Sequence, residues 1–238
     1  MSGGAMTFVD AAVRLPDEGG SWRTLLFRRS RCLELNWDAG IRYLGEITEY
    51  RKQWRSLRRS SFARDVGAAV QLADEGGSWR TLLFQGDQCL VLNWDGGVRF
   101  HGKIIELGVQ WRELQGTPFA QDLDAAVELP DEGGSWSTML FQGNRCLVLN
   151  WDTGIRYHGR ITDFGGQWKN LPPSFFGNYD EALQIPDEGG SRRTLLFKGD
   201  ECLVLNWDAG IGYQGPVSEF GEAWREAHRA LSRTPIFG

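Results

Sequence analysis

The chain has 238 residues, 41% of them hydrophobic, with a formal net charge of -5 and a pI near 5.3. It can bury a sizeable core, and its acidic balance argues against the basic footprint of a nucleic-acid binder while favouring cationic or neutral partners. No stretch reaches the roughly 18 consecutive apolar residues of a membrane-spanning helix, and Met1 to Met6 lack the basic-then-apolar order of a secretory leader. The expectations are a cytoplasmic protein with no membrane or nucleic-acid partner, with Met6 as an alternative natural start.

The chain is four copies of one unit. Asp17-Glu18-Gly19-Gly20-Ser21 recurs at Asp74, Asp131 and Asp187, and each copy continues with Leu-Phe, a Cys, Leu-x-Leu-Asn-Trp-Asp-x-Gly, a lone Gly and a Trp. All eleven Trp fall in three columns: Trp22, Trp79 and Trp136; Trp37, Trp94, Trp151 and Trp207; Trp54, Trp111, Trp168 and Trp224.

The third copy gives the elements in chain order. Asp124 to Leu129 reads as a first strand, closed by the tight turn Pro130-Asp131-Glu132-Gly133-Gly134. A second strand is predicted from about Trp136 to Gln142, a third over Cys146–Trp151 after Gly143-Asn144, and a fourth from Ile155 after Asp152-Thr153-Gly154. Strands two and three are apolar on both parities, as in sheets buried on both faces. Ile161 to Leu171 has the spacing of a short helix stopped by Pro172-Pro173. Four such units predict an all-β fold, a four-bladed β-propeller of four-stranded antiparallel blades with short helices between them. It is one domain over 1–238, with blades at about 8–64, 65–121, 122–177 and 178–238.

Cys32, Cys89, Cys146 and Cys202 share one column inside apolar runs. A ring holds equivalent positions beyond the ~7 Å that a disulfide spans, so they read as reduced core residues. His101 and His158 also share a column, at strand ends that a propeller keeps apart, whereas His228 belongs to the unrepeated tail.

These repeats resemble the hemopexin-like four-bladed propellers. Asp10-Ala11-Ala12, Asp124-Ala125-Ala126 and Asp180-Glu181-Ala182 match the family's blade opening, with Gly67-Ala68-Ala69 as a degenerate copy. Phe84-Gln85-Gly86-Asp87 and Phe197-Lys198-Gly199-Asp200 match its second element, and Gly159-Arg160-Ile161 with Trp168 and Leu171-Pro172 its third. The likeness covers nearly the whole chain, without the disulfide that joins first and last blades in extracellular relatives. It implies closure by packing, with the tail Thr234-Pro235-Ile236-Phe237 as a candidate contact. It also implies a small ion in the central channel (calcium, sodium or chloride), in a pore lined by main-chain oxygens of the opening strands, with Asp10, Asp124 and Asp180 marking its entry. No cofactor is required otherwise.

Alternating strand directions put the Asp-Glu-Gly-Gly turns and the Asn-Trp-Asp corners on one face, called upper. Carboxylates interleaved with Trp there suit an organic cation, while the same residues equally suit structural turns. Symmetry breaks single out blade four, where Arg192 replaces the strand-two Trp and Gly212 the post-corner Arg. The predicted ligand-binding residues are Asp187, Glu188, Arg192, Trp207, Asp208 and Gly212, with Asp131 and Glu132. The expected function is non-covalent binding of a small ligand, an organic cation such as a polyamine or a hydroxyl-rich molecule, by a monomer or weak homo-oligomer. The alternatives are a biosynthetic cyclase or isomerase that stabilises a cationic intermediate, and a protein-interaction module. No Ser-His-Asp order, zinc signature or phosphate loop supports other chemistry.

Overall fold

Each repeat folds into one antiparallel four-stranded sheet whose strands follow chain order from the axis outward. The computed structural model describes residues 7–75, 77–129 and 134–232, without the side chains of residues 18, 73–75 and 188. Blade one holds β1 (Ala11–Glu18), β2 (Ser21–Arg28), β3 (Arg31–Asn36) and β4 (Gly40–Glu46). Blade two holds β5 (Ala68–Glu75), β6 (Ser78–Gln85), β7 (Gln88–Asn93) and β8 (Gly97–Lys103). Blade three holds β9 (Ala125–Leu129), β10 (Ser137–Gln142), β11 (Arg145–Asn150) and β12 (Gly154–Arg160). Blade four holds β13 (Glu181–Glu188), β14 (Ser191–Lys198), β15 (Glu201–Asn206) and β16 (Gly210–Pro216). The innermost strands β1, β5, β9 and β13 neighbour one another around the axis, so the all-β four-bladed propeller is the observed fold.

The predicted inter-blade helix is shorter than its apolar spacing suggests. In blade three it breaks into 3₁₀ turns at Ile161–Asp163, Gly166–Asn170 and Pro173–Phe175, because Gly165 at φ 107° and the two prolines deny it a continuous α-helix. Blade four has no such interruption in Glu222-Ala-Trp-Arg-Glu-Ala-His-Arg-Ala-Leu-Ser, and those good helix formers make α1 (Glu222–Ser232).

The core is four wedges, one in each seam between neighbouring blades. In every wedge the post-helix Trp packs on the strand-two Phe of its own blade: Trp54 on Phe27, Trp111 on Phe84, Trp168 on Phe141 and Trp224 on Phe197, with ring centroids 5.8, 6.0, 5.8 and 5.6 Å apart. The corner Trp of the next blade meets it edge-on. Trp37 meets Trp224 at 5.3 Å, so the last seam uses the same contact as the others. Ring closure therefore needs no shared strand; α1 lies against β3 and β4, and the Phe8 N–H donates to the Gly199 carbonyl at 3.2 Å. The tail residues Thr234 to Phe237 lie outside the described residues.

The cysteines are free and buried, one to a wedge: Cys202 in the seam between blades four and one, then Cys32, Cys89 and Cys146 in turn around the ring. Among the described residues, no helix is long and apolar enough to cross a membrane.

Candidate functional site

The upper face is built by the Asn-Trp-Asp corners, and these are structural in all four blades. In blade one the Asn36 Oδ1 accepts the Asp38 and Ala39 N–H groups at 3.0 and 2.7 Å and the Ser21 hydroxyl at 2.8 Å. Asn93, Asn150 and Asn206 repeat the pattern. The side chain thus replaces a turn hydrogen bond and ties corner to hairpin. Each corner Trp donates its indole N–H to a Thr of strand two, Trp37 to Thr24, Trp94 to Thr81, Trp151 to Thr138 and Trp207 to Thr194, at 2.9 to 3.0 Å. Those rings are wedges between blades.

Nearer the axis, strand register aligns Arg14, Gln71, Glu128 and Gln184, each opposite a strand-two Thr. One position in four blades therefore carries a cation, an anion and two amides. Arg14 and Glu128 approach across the axis to 3.9 Å, and Arg14 also lies 4.0 Å over the Trp22 ring and 3.6 Å from Asp17. Burial pushes the Glu128 carboxyl up to about 7, against the downward pull of Arg14. Three buried polar atoms in this ring make no hydrogen bond: Arg14 Nε, Gln71 Oε1 and Gln184 Oε1.

Above the ring lies an open cavity of about 290 Å³ lined by Arg14, Glu128, Leu129, Trp136, Gln184, Asp187 and Arg192. A second, of about 150 Å³, shares Trp136 and adds Gln71, Arg80, Thr138 and Asp152. Trp136 is 36% exposed and fronts both. Below, the channel narrows to about 10 Å³ between Val13, Val70, Val127 and Leu183, room for about one water.

Of the predicted residues, Asp187 and Arg192 face this cavity. Trp207 does not; it is wedged against Phe164 and Trp168 at 6.2 and 5.8 Å. Asp208 forms the exposed corner, and Gly212 lies beside Val204 on β16, the outermost strand. The symmetry break at Gly212 is thus remote from the axis, because that column belongs to the strand farthest from it. Asp131 and Glu132 lie outside the described residues, as does the side chain of Glu188. Sequence reasoning missed Arg14, Gln71, Glu128 and Gln184. The signal was present as a column that changes chemistry from blade to blade between apolar neighbours repeated in all four copies, Val13-Leu15, Val70-Leu72, Val127-Leu129 and Leu183-Ile185.

The other patterned residues separate. His101 packs edge-on to Phe62 at 5.7 Å and His158 to Phe119 at 5.5 Å, on different outer strands. Among the described residues, no group of three or more His, Cys, Asp or Glu side chains is placed to hold a metal ion.

Comparison with solved structures finds the same architecture in plant proteins. The hemopexin fold protein CP4 from cow pea superposes with a TM-score of 0.72 at 16% identity, covering 92% of this chain and 96% of that one. The fold is the hemopexin-type four-bladed propeller. A seed albumin from Lathyrus sativus gives 0.73 at 14% identity, over 94% of this chain and 97% of that one. A plant lectin with two metal-binding sites from Cicer arietinum gives 0.74 at 15% identity, over 95% and 99%. No family model matches the chain. Among curated proteins, N-acetylneuraminate epimerases of two Haemophilus influenzae strains, 86-028NP and PittEE, are 29% and 28% identical over 113 residues. That match takes in 44% of this chain and 28% of the length of those proteins.

The residues expected to mark a channel ion are arranged for other ends. Asp10, Asp124 and Asp180 turn their carboxylates to the lower hairpins, where Oδ2 of each accepts the N–H of Arg29, Gly143 and Gly199 at 2.5, 2.6 and 2.5 Å. They close turns. One residue further along, the carboxylate of Glu181 sits where N–H groups of all four blades converge: Oε2 accepts from Ala12 and Ala69 at 3.0 Å each, and Oε1 from Ala126 at 3.0 Å and Ala182 at 2.7 Å. Four inward N–H groups repel a cation, and a carboxylate already fills the centre that an anion such as chloride would need. An ion does not fit at this level.

Proposed function

We propose that this propeller binds a small hydroxyl-rich ligand, a sugar or polyol, without covalent chemistry, in the cavity at the upper end of its channel. The observation that carries this reading is the trio of buried, unpartnered atoms, Arg14 Nε, Gln71 Oε1 and Gln184 Oε1, in one ring beneath an open pocket. Buried polar groups are nearly always satisfied by protein, water or ligand. Two acceptors and one donor suit hydroxyls, each of which both donates and accepts. Trp136 offers an apolar wall against which a sugar ring can lie. A carboxyl held near neutrality in a cleft is a common mark of a functional site.

A polyamine fits less well, because Arg14 and Arg192 line the same cavity as Glu128 and Asp187. A plant lectin and N-acetylneuraminate epimerases are among the similar proteins; that likeness concerns fold and a partial stretch of sequence, and the ligand class rests on the residues.

Isothermal titration with a panel of neutral and acidic sugars, polyols and spermine tests the reading. A sugar or polyol should bind, and Trp136→Ala or Gln184→Ala should each weaken it about tenfold, the loss of one contact worth roughly 1.4 kcal/mol. Binding of spermine in preference to every hydroxylated probe, or sugar affinity equal in both variants and wild type, would overturn it.

A further inference from the structure

We propose that Glu181 is a tethered anion: its carboxylate occupies an axial anion-binding cage made by one backbone N–H from each blade, so the ring carries its own counter-charge and, once that side chain is cut away, the cage takes a monovalent anion such as chloride.

The cage follows from the topology. An innermost strand pairs with its own blade on one side only, so N–H groups on its other edge point to the axis without a strand partner. Such groups need an acceptor when buried, and successive inward N–H groups form an anion-binding concavity. The equivalent residue in blades one, two and three is Ala11, Ala68 and Ala125, opposite Phe27, Phe84 and Phe141, while blade four has Glu181 opposite Phe197. Three methyl groups leave the centre open, and one long side chain reaches it. Glu181 is fully buried, a position in which a carboxylate persists only with strong hydrogen bonds. It has four, two on each oxygen. Desolvation pushes the carboxyl up to about 8 while the four N–H groups pull it back down, and with all four partners donors the bonding pattern is that of the ionised form. Oε2 ties blades one and two, and Oε1 ties blades three and four.

Two variants of the full chain test this, each melted in chloride and in gluconate at equal ionic strength, gluconate being too large for the cage. Glu181→Ala empties the cage; raising chloride a hundredfold above its dissociation constant should lift its melting temperature by about 5 °C or more, while the wild type shifts by no more than about 1 °C. Glu181→Gln keeps the volume but turns an amide NH₂ toward two of the N–H donors. It should melt well below the wild type and show no chloride response, because the cage is still full. If Glu181→Ala folds only in chloride, refolding yield against chloride gives the same answer. Bromide in crystals of Glu181→Ala should give an anomalous peak on the axis between Ala12, Ala69, Ala126 and Ala182. Equal chloride responses of Glu181→Ala and wild type, or a Glu181→Gln protein as stable as the wild type, would overturn the proposal.

Discussion

Glu128 carries a pH dependence whose sign follows from its surroundings. Facing it are Arg14 at 3.9 Å and, around the same cavity, Asp187, Arg192 and the neutral Gln184. Desolvation dominates, and the folded-state pKa rises to about 7 from an ordinary value of 4.5. Between those values the folded chain keeps a proton that the unfolded chain has released. Stability attached to this group is therefore fully present below about pH 4.5 and is lost as pH rises toward about 7, after which the contribution is flat. Subtracting the unfolding free energy of Glu128→Gln from that of the wild type cancels other titrations, and the difference should fall by up to about 3 kcal/mol across that window. A difference that stays level from pH 5 to 7 would mean that the carboxyl is solvated and unlinked to folding. If the cavity binds a ligand that donates to Glu128, saturation should shift the window downward.

At the scale of an element, the corner and its Trp act as the joint between blades. Trp151 donates to Thr138 at 2.9 Å and meets Trp111 edge-on at 5.3 Å across the seam. Removing the ring takes away the contact and leaves a void between two sheets, so Trp151→Ala should cost about 3 to 5 kcal/mol in urea unfolding. Thr138→Val removes only the acceptor of the indole N–H and should cost about 1 kcal/mol. A near-neutral Trp151→Ala would show that the seam closes without the wedge. The lower hairpins use a different device. Gly86, Gly143 and Gly199 have φ of 56°, 57° and 63°, and blade one puts Arg29 in the same left-handed conformation at φ 54°, with its N–H held by Asp10. The carboxylate bond compensates part of the steric cost of a side chain there.

For the whole molecule, the four cysteines report on the four seams. All are fully buried, and burial pushes the Cys89, Cys146 and Cys202 thiols up to about 12, so the native thiols are neither accessible nor ionised. Thiol labelling of the native protein should be slow and should track opening of the ring. Trp224→Ala weakens the seam between blades four and one, and mass spectrometry of labelled peptides should find Cys202 modified first; Trp111→Ala should favour Cys89 in the same way. Equal labelling of all four in both variants would mean that the propeller opens as one unit with no independent seams.

The repeat alone determined the fold, because an Asn-Trp-Asp corner, a Gly-Gly hairpin and a buried Cys recurring four times specify local geometry through short-range hydrogen bonds and burial. Four similar units that each expose two apolar faces can satisfy them by closing on one another. The strands at Met139 to Phe141 and Leu147 to Leu149 were legible for the same reason. The site was not legible, since it is made where single residues of β1, β5, β9 and β13 meet at the axis, and nothing local marks Arg14, Gln71, Glu128 and Gln184 as neighbours. Gly212 illustrates the converse: its column breaks symmetry in sequence, yet the outermost strand keeps it far from the centre. Glu181 stands in plain view as Asp180-Glu181-Ala182, one letter away from its counterparts. Only ring closure, which turns four unpaired strand edges inward, gives that letter four N–H groups to bind.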